Sequence, residues 1–356
     1  MGEVSVVEGV FSAGELNQIH RVKFGCPAYV RSGDRLPHGL GFWGAIPASS
    51  DPQLRFAPEL PDRADAVRYG RRLAEHTLAS TGKPRVSGHS SYLRATYAAH
   101  GEPLVAGIEE ILRNNRLASM AAEVFDADIV VPLTVYANVY LPGQVLDVHT
   151  DIPAFRGVEL GQAPAWLLVA MHHSGLFERW RIPIATVIGH PNTSQGGEFS
   201  YFPPAAPPGV PSVITLDPPS NSAVALDADT IFHRVDQVAG ETTLLPELAK
   251  GAYLVPSRPT LWRLCRREPA GALLGTFRNE EIRYTISWKA YCFPDENSRQ
   301  TWIDHTDDLR LDEIIPMLTE LLCDRGELPG PEHGLSEVEL GAVIIDALIP
   351  FPAPGS

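Results

Sequence analysis

The sequence is poor in cysteine, which narrows the classes of protein it can belong to. Its four cysteines, Cys26, Cys265, Cys292 and Cys323, are spread over 356 residues, and none of them forms a C-x-x-C pair. Disulfide scaffolds and zinc knuckles need closely spaced cysteines, so this pattern excludes both. We expect four reduced thiols.

Positive charge and long apolar runs are also scarce. Lys and Arg number 29 against 43 Asp and Glu, and the formal net charge of -14 repels phosphate backbones and anionic lipid. No stretch reaches the roughly 18 apolar residues of a membrane span, and MGEVSVVEGVFSAGELNQIH lacks the basic and apolar regions of a secretory signal. The sequence predicts a cytoplasmic protein with neither nucleic-acid nor membrane partners.

The chain has enough apolar sequence for one large core or two small ones, since 44% of its residues are hydrophobic and 20% are charged. Its texture changes in three blocks. Residues 1–127 carry helical patterns and form a support region, residues 128–294 contain short apolar runs broken by Pro, Gly, Asn and Asp, and residues 295–356 return to helices. We predict a mainly β core, a sandwich or barrel, with flanking helices in one structural unit.

Local signals place the helices. The stretches 61–80 and 102–125 have helical texture, with Pro103 near a predicted helix start. In the C-terminal block one helix is predicted to stop at Gly326, and Ser336 with Glu339 forms a capping box at the start of another.

The segment VVPLTVYANVYLPGQVLDVHTD carries the first candidate chemistry. Alternation in a strand places Tyr136, Asn138 and Tyr140 on one polar face, and Pro142-Gly143 then turns the chain. His149 and Asp151 are two residues apart, so in extended chain they share a side. This pair is either two metal ligands or a polar strand end beside a turn.

A third ligand decides between these readings, and His233 in ALDADTIFHRVDQV is the best candidate. It lies in a short β-like run that facing strands of one barrel can bring to His149 and Asp151. Two histidines and one carboxylate on one side of a metal leave the other coordination positions open, which suits non-haem Fe(II). Zinc more often carries a third neutral nitrogen or a sulfur.

Four blocks in order, YLPGQVLDVHTD, SQGGEFSYFP, ALDADTIFHRVDQV and IRYTISWKAYCF, resemble the iron(II)/2-oxoglutarate-dependent oxygenases, in particular the branch that includes the prolyl hydroxylases. The resemblance implies a double-stranded β-helix, a jelly roll of the cupin kind. It implies iron(II) held by His149, Asp151 and His233, with 2-oxoglutarate and O₂ as cosubstrates. It also implies an arginine on a late strand that meets the far carboxylate of 2-oxoglutarate.

Arg283 is the candidate for that arginine, because a guanidinium offers paired donors that match a carboxylate. Thr285 and Ser287 share its face, and Tyr140 and Asn138 on the earlier strand are further candidate contacts. The family's arginine strand normally follows the second histidine closely, whereas here a long insert intervenes. Arg234 is the competing candidate, on the opposite face from His233 by strand parity.

The insert, at about 240–279, is predicted to form a flap beside the pocket. It carries Arg258, Arg263, Arg266 and Arg267 with Trp262, which favours an anionic small molecule as substrate. The alternative is a solvated basic face on a surface helix. The pair His172-His173 is interpreted as structural, on the premise of a strand whose adjacent residues face opposite ways.

The resemblance implies oxidation, first of all hydroxylation, of an unactivated C–H in a small molecule such as an amino acid or a natural-product intermediate. The carboxylate at Asp151 argues against halogenation, since related halogenases carry a small residue there. Two alternatives stay open: an iron-dependent oxidase of the same fold that does not use 2-oxoglutarate, and a non-catalytic jelly roll that binds a ligand or metal. The sequence does not determine the substrate or the oligomeric state.

Overall fold

Two antiparallel sheets form the centre of the protein in a computed structural model, which describes residues 4–31, 92–204, 213–240, 251–258, 260–266 and 271–351. The helix predicted at 61–80 lies outside the described residues. The larger sheet has the strand order β1-β12-β9-β17-β5-β3-β2, with β4 paired to β3. Its strands are β1 (Ser5–Glu8), β2 (Val30–Arg31), β3 (Leu93–Ala99), β4 (Glu102–Pro103), β5 (Ile129–Tyr140), β9 (Ile184–His190), β12 (Ser222–Leu226) and β17 (Arg283–Phe293).

The smaller sheet has the order β11-β10-β13-β6. Its strands are β6 (Leu146–His149), β10 (Phe199–Phe202), β11 (Ile214–Leu216) and β13 (Phe232–Val235). Along the chain the core strands pass repeatedly between the two sheets, from β5 to β6, from β9 to β10 and from β12 to β13. This winding is a double-stranded β-helix, so the predicted jelly-roll fold is confirmed.

Strand β17 shows why the sheet has one polar and one apolar face. In RYTISWK the odd-numbered residues, from Arg283 to Lys289, are polar and face the smaller sheet. The even-numbered Tyr284, Ile286 and Trp288 are at most 1% exposed and pack into the outer core. The period of two therefore builds a polar interior and a dry exterior from one strand.

Helices cover both outer faces of the sandwich. Helices α1 (Ala13–Gly25), α2 (Glu109–Leu112) and α3 (Asn115–Phe125) share one apolar core with the larger sheet. Helices α4 (Ala165–Ser174), α6 (Leu311–Asp324) and α7 (Glu337–Leu348) pack with Val148, Phe202 and Phe232 of the smaller sheet. Helix α5 (Glu296–Asp304) follows β17. The polar interior is thus enclosed between two helix-covered sheets.

Several local predictions are confirmed and others are wrong. The capping box of Ser336 and Glu339 begins α7, and Gly326 follows the end of α6 with a φ of +75°. Pro103, however, lies in β4, and the predicted 102–125 helix is two helices separated at Asn114, whose side chain caps the second. His172 and His173 lie in the last turn of α4 rather than in a strand. That helix is apolar on all sides, so its sequence shows no helical periodicity.

The insert forms a three-stranded antiparallel sheet of β14 (Tyr253–Arg258), β15 (Leu261–Arg266) and β16 (Ala272–Arg278). The surface-helix interpretation of its arginines is therefore wrong for the described residues. Trp262 is fully buried beside Tyr29 and Phe24, so one side of this sheet packs into the main core. Whether the insert acts as a flap stays a prediction.

A short ribbon of β7 (Ala154–Phe155) and β8 (Arg181–Ile182) completes the strands of the described residues. Among the helices of those residues, none combines the length and the apolar composition that crossing a membrane requires. The cytoplasmic location stays a prediction.

Candidate metal centre and cosubstrate pocket

The three predicted metal ligands come together at one end of the smaller sheet. His149 ends β6 and pairs directly with His233 of β13, and their ring centroids are 4.4 Å apart. Asp151 follows two residues after His149, and its backbone N–H donates to the Ala228 carbonyl at 2.8 Å. One nitrogen of each histidine and one oxygen of Asp151 all lie within 4.8 Å of one another.

Backbone carbonyls orient both histidines. Nδ1 of His149 bonds to the carbonyl of Asp147 at 2.8 Å, and Nδ1 of His233 bonds to that of Ile231 at 2.9 Å. Because a carbonyl only accepts, Nδ1 must donate, and in the neutral ring Nε2 keeps its lone pair. Burial, with the neighbouring His149, lowers the pKa of His233 to about 4, so that ring is neutral at pH 7.

Asp151 is held as a carboxylate by a lysine that the sequence analysis missed. Its Oδ2 accepts from Nζ of Lys289 at 2.7 Å and from the hydroxyl of Thr186 at 3.1 Å. Burial alone raises the pKa of Asp151, but the Lys289 ammonium and the two histidines hold it well below its usual range. The parity of β17 was the available signal, because Lys289 shares a face with Arg283 and Thr285.

This donor set fits a divalent first-row metal. Ligand atoms that share one such ion lie about 3–4 Å apart, given bonds of about 2.1 Å, so the cluster needs only small side-chain shifts to close around it. Two imidazole nitrogens and one carboxylate oxygen on one side leave the pocket side open. The carbonyls of Asp147 and Ile231 supply the outer hydrogen bonds that ligating histidines usually have.

Arg283 lies in the same pocket, 3% exposed. Its Nε donates to the Gly197 carbonyl at 2.7 Å, and its Nη1 lies 3.4 Å from the Thr285 hydroxyl. Burial lowers the pKa of Arg283, and no carboxylate in the described part of the chain forms an ion pair with it. A buried guanidinium without a counter-ion is ready to bind a carboxylate.

The other predicted cosubstrate contacts line the same pocket. Register pairs Arg283 with Tyr140, Thr285 with Asn138, and Ser287 with Tyr136 across β17 and β5. The amide of Asn138 donates to the Ser287 hydroxyl at 3.0 Å. The three predicted metal ligands, Arg283 and the four other predicted cosubstrate contacts therefore line one pocket.

The competing arginine is elsewhere. Arg234 pairs with Asp236 at 2.8 Å and stacks near Phe202, on the face of β13 away from the pocket. Strand parity alone predicted this, because Arg234 neighbours the inward-facing His233.

Arg94 is the second functional candidate that the sequence analysis missed. It lies on β3, opposite Asn138 of β5, and lines the pocket beside Tyr92 and Tyr136. Polar Arg94 and Thr96 alternate with apolar neighbours, which is a signal for a strand with one polar face. This short segment, however, directly follows a stretch with no clear strand pattern. A separate cavity of about 340 Å³, lined by His20, Lys23 and Asn192 among others, does not include the triad.

Comparisons with known proteins bear on the fold. No family model matches the sequence. No curated protein matches it either. Among solved structures, the chain is similar to HygX from Streptomyces hygroscopicus with nickel, 2-oxoglutarate and hygromycin B bound, at 10% identity over 82% of this chain and 83% of that chain, with a TM-score of 0.37.

It is also similar to a prolyl hydroxylase from Trichoplax adhaerens in complex with a hypoxia-inducible-factor peptide, at 11% identity over 84% and 87% of the two chains and a TM-score of 0.38. A prolyl-4-hydroxylase from Pseudomonas putida aligns at 9% identity over 82% and 94%, with a TM-score of 0.35. At these values the likeness concerns the course of the chain alone.

Proposed function

We propose that the protein is a non-haem iron(II)- and 2-oxoglutarate-dependent oxygenase that hydroxylates an unactivated C–H of a small molecule. One observation carries this proposal: a cluster of two histidines and one aspartate shares a pocket with a buried arginine that has no carboxylate partner in the described residues. The metal set and the carboxylate-binding group are the two parts that such chemistry needs in one place.

His149, Asp151 and His233 would hold the iron, each through one atom. The far carboxylate of 2-oxoglutarate would bind Arg283, with hydroxyl or amide contacts from Thr285, Ser287, Tyr140 and Asn138. When bound, iron(II) and 2-oxoglutarate supply the activation of O₂, and 2-oxoglutarate leaves as succinate and CO₂. The chain itself contributes orientation: it fixes the two imidazoles by carbonyl bonds and keeps Asp151 ionised through Lys289.

The end of the pocket around Arg283 is also shielded from bulk water. Tyr140 is 1% exposed, Thr285 1% and Ser287 3%, and the helices on both outer faces close the sandwich. Few competing donors remain around a bound carboxylate in such a site, and charge-assisted hydrogen bonds are stronger there than in water. An enclosed polar pocket is suited to a small-molecule substrate.

The first test is an anaerobic titration of the metal-free protein with Fe(II) and then 2-oxoglutarate, following the weak visible charge-transfer band of the chelate. We expect His149→Ala to weaken Fe(II) binding by more than about 100-fold. We expect Arg283→Ala to bind Fe(II) normally but to weaken 2-oxoglutarate binding by about 100-fold, because the carboxylate loses a buried charged partner.

Matched controls are His305→Ala and Arg263→Ala, which remove an exposed histidine and an exposed strand arginine. Both should behave as wild type. If Fe(II) binds but no band forms, 2-oxoglutarate is not the cosubstrate and the oxidase alternative takes precedence. If the band forms but the protein releases no succinate in air, either alone or with any tested substrate, the non-catalytic alternative takes precedence.

A further inference from the structure

A second guanidinium faces the pocket that holds the triad. Arg94 lies in one row of the larger sheet with Asn138 and Thr285, which register places side by side on β3, β5 and β17. Residues paired in this way point to the same face of a sheet. Arg94 therefore projects into the pocket on one side of Asn138, and Arg283 projects into it on the other side.

The contacts of Arg94 fix the plane of its guanidinium and leave one edge open. Its Nη2 donates to the Tyr92 hydroxyl at 2.5 Å, and its Nε lies 3.4 Å from Oδ1 of Asn138. The guanidinium carbon lies 4.1 Å from the ring centroid of Tyr136. Nη1 has no hydrogen-bond partner in the part of the chain that the structure describes.

The charge of Arg94 has no carboxylate partner among the residues that the structure describes. No carboxylate among the described residues is within ion-pair distance of it. Burial opposes the charged form, but Tyr92, Tyr136 and Asp151 more than offset this and raise its pKa, so the group stays cationic. Arg94 is half-buried. A partly buried charge without a partner is costly, and proteins keep such groups chiefly where a ligand completes them.

Two stacked tyrosines separate this arginine from Arg283. The rings of Tyr92 and Tyr140 lie 5.1 Å apart at 22°. Arg94 contacts the Tyr92 ring at 5.3 Å, and Arg283 contacts the Tyr140 ring at 5.2 Å. The pocket consequently has two cationic ends with an aromatic wall between them.

The charges of the pocket indicate what the second anion carries. The lining residues include two arginines and one carboxylate, that of Asp151. Lys289 balances Asp151 at 2.7 Å, and the charge of Glu198 acts on Arg283. A divalent metal and a 2-oxoglutarate dianion balance each other. The charge of Arg94 then remains, and a single carboxylate balances it, whereas a phosphate dianion exceeds it.

We infer that Arg94 and the Tyr92 hydroxyl form a second anion subsite, which binds a carboxylate of the primary substrate and so directs the rest of that molecule toward the triad. The inference rests on the proposed function, since it assigns the first anion subsite to 2-oxoglutarate. It makes the substrate class a carboxylate-bearing small molecule.

The test uses acetate and its neutral isostere acetamide as probes of the full-length protein loaded anaerobically with Fe(II) and saturating 2-oxoglutarate. Binding is followed by calorimetry, and the charge-transfer band reports in each variant that the fold and the cosubstrate site are intact. We expect acetate to bind this complex saturably and acetamide not to bind. In Arg94→Met, acetate should bind at least 10-fold more weakly, with partial recovery in Arg94→Lys and wild-type behaviour in Arg21→Met, a change at an exposed position of α1.

Three results overturn the inference: no acetate binding to the wild-type complex, equal binding of acetate to Arg94→Met, or equal binding of acetamide and acetate. Loss of the 2-oxoglutarate band in both Arg94→Met and Arg94→Lys also overturns it, because Arg94 would then serve the cosubstrate. Absence of the band in the wild-type protein is a separate failure, that of the proposed function, and the subsite falls with it.

Discussion

At the scale of single residues, Lys289 has the strongest local effect on the candidate metal centre. Its ammonium lies 2.7 Å from Oδ2 of Asp151, and the side chains are 16% and 21% exposed. The lysine is therefore the counter-ion of the carboxylate in the metal-free protein. A divalent metal on Asp151 would take over part of that role.

We expect Lys289→Met to destabilise the metal-free protein by about 3 kcal/mol, because removing one member of a largely buried ion pair leaves the other uncompensated. Ni(II) should raise the free energy of unfolding of this variant more than that of wild type, since the metal replaces the lost positive charge. Urea denaturation with and without Ni(II) measures both effects.

Asp151→Asn is the matched control for this pair. In its background Lys289→Met should cost much less, since no carboxylate is left unpaired. An equal cost in both backgrounds would show that Lys289 acts through packing and not through Asp151.

The residues of this site were predicted from two sources. Alternation paired His149 with Asp151 and a short β-like run favoured His233, whereas Arg283 was selected because the resemblance implies an arginine on a late strand. The structure brings all four to one pocket. Lys289 obeys the same alternation but was missed because a lysine on an inward face contradicts the usual exposure of that residue type. Arg94 was missed for another reason, because the partners of a strand cannot be read from its own sequence.

At the scale of elements, the connection between β9 and β10 supports the late strand that carries Arg283. Gly197 has a φ of +74°, and its carbonyl accepts from Nε of Arg283. A Cβ on Gly197 would lie 2.5 Å from Cδ of Arg283. The glycine thus permits the close approach that fixes the arginine.

We expect Gly197→Ala to displace Arg283 and weaken 2-oxoglutarate binding by at least about 10-fold, while Fe(II) binding changes little. Gly175→Ala is the control, because Gly175 has a φ of +75° but open space around its Cβ position. That variant should lose about 1 kcal/mol of stability and no cosubstrate affinity. Equal 2-oxoglutarate affinity in both variants would contradict the role of Gly197.

The insert shows where element prediction from sequence stops. Its length and arginines predicted a separate segment, but not the three-stranded sheet of β14 to β16. The decisive interaction is Trp262, whose indole packs on Tyr29 and Phe24 and donates to Asn279. Such long-range contacts override the local pattern of charge in the insert. They also override the sequence pattern of α4, which is apolar on all sides and shows no helical periodicity.

At the scale of the whole molecule, the covering helix α4 holds His172 and His173 half-buried, with Nδ1 of His172 and Nε2 of His173 out of contact with solvent. Burial first, and then the Arg181 guanidinium, lowers the pKa of His172 to about 3 and of His173 to about 4. Burial and Arg283 lower the pKa of His190 to about 3. Each of these groups is neutral in the folded protein over a pH range where it is protonated in the unfolded chain.

The sign of the pH effect follows from proton binding. Between pH 6.5 and about 4 the unfolded state of the metal-free protein binds more protons at His172, His173, His190 and His233, so stability is present above pH 6.5 and is lost as the pH falls. Asp229 acts oppositely, because burial and Asp227 raise its pKa to about 7 and its folded form keeps a proton that the unfolded chain releases.

Each group contributes a slope of about 1.4 kcal/mol per pH unit, so the four histidines outweigh the one aspartate by roughly 4 kcal/mol per unit between pH 6 and 5.

Urea denaturation of the metal-free protein at pH 7, 6 and 5 should show this decline. In the double variant His172→Gln with His173→Gln the slope should fall to roughly a third of the wild-type value. Gln300→Ala, an exposed change that removes no titratable group, should leave the slope unchanged. An unaltered slope in the double variant would mean that the two histidines of α4 are not held neutral by burial, and that the helical cover is looser than the structure shows.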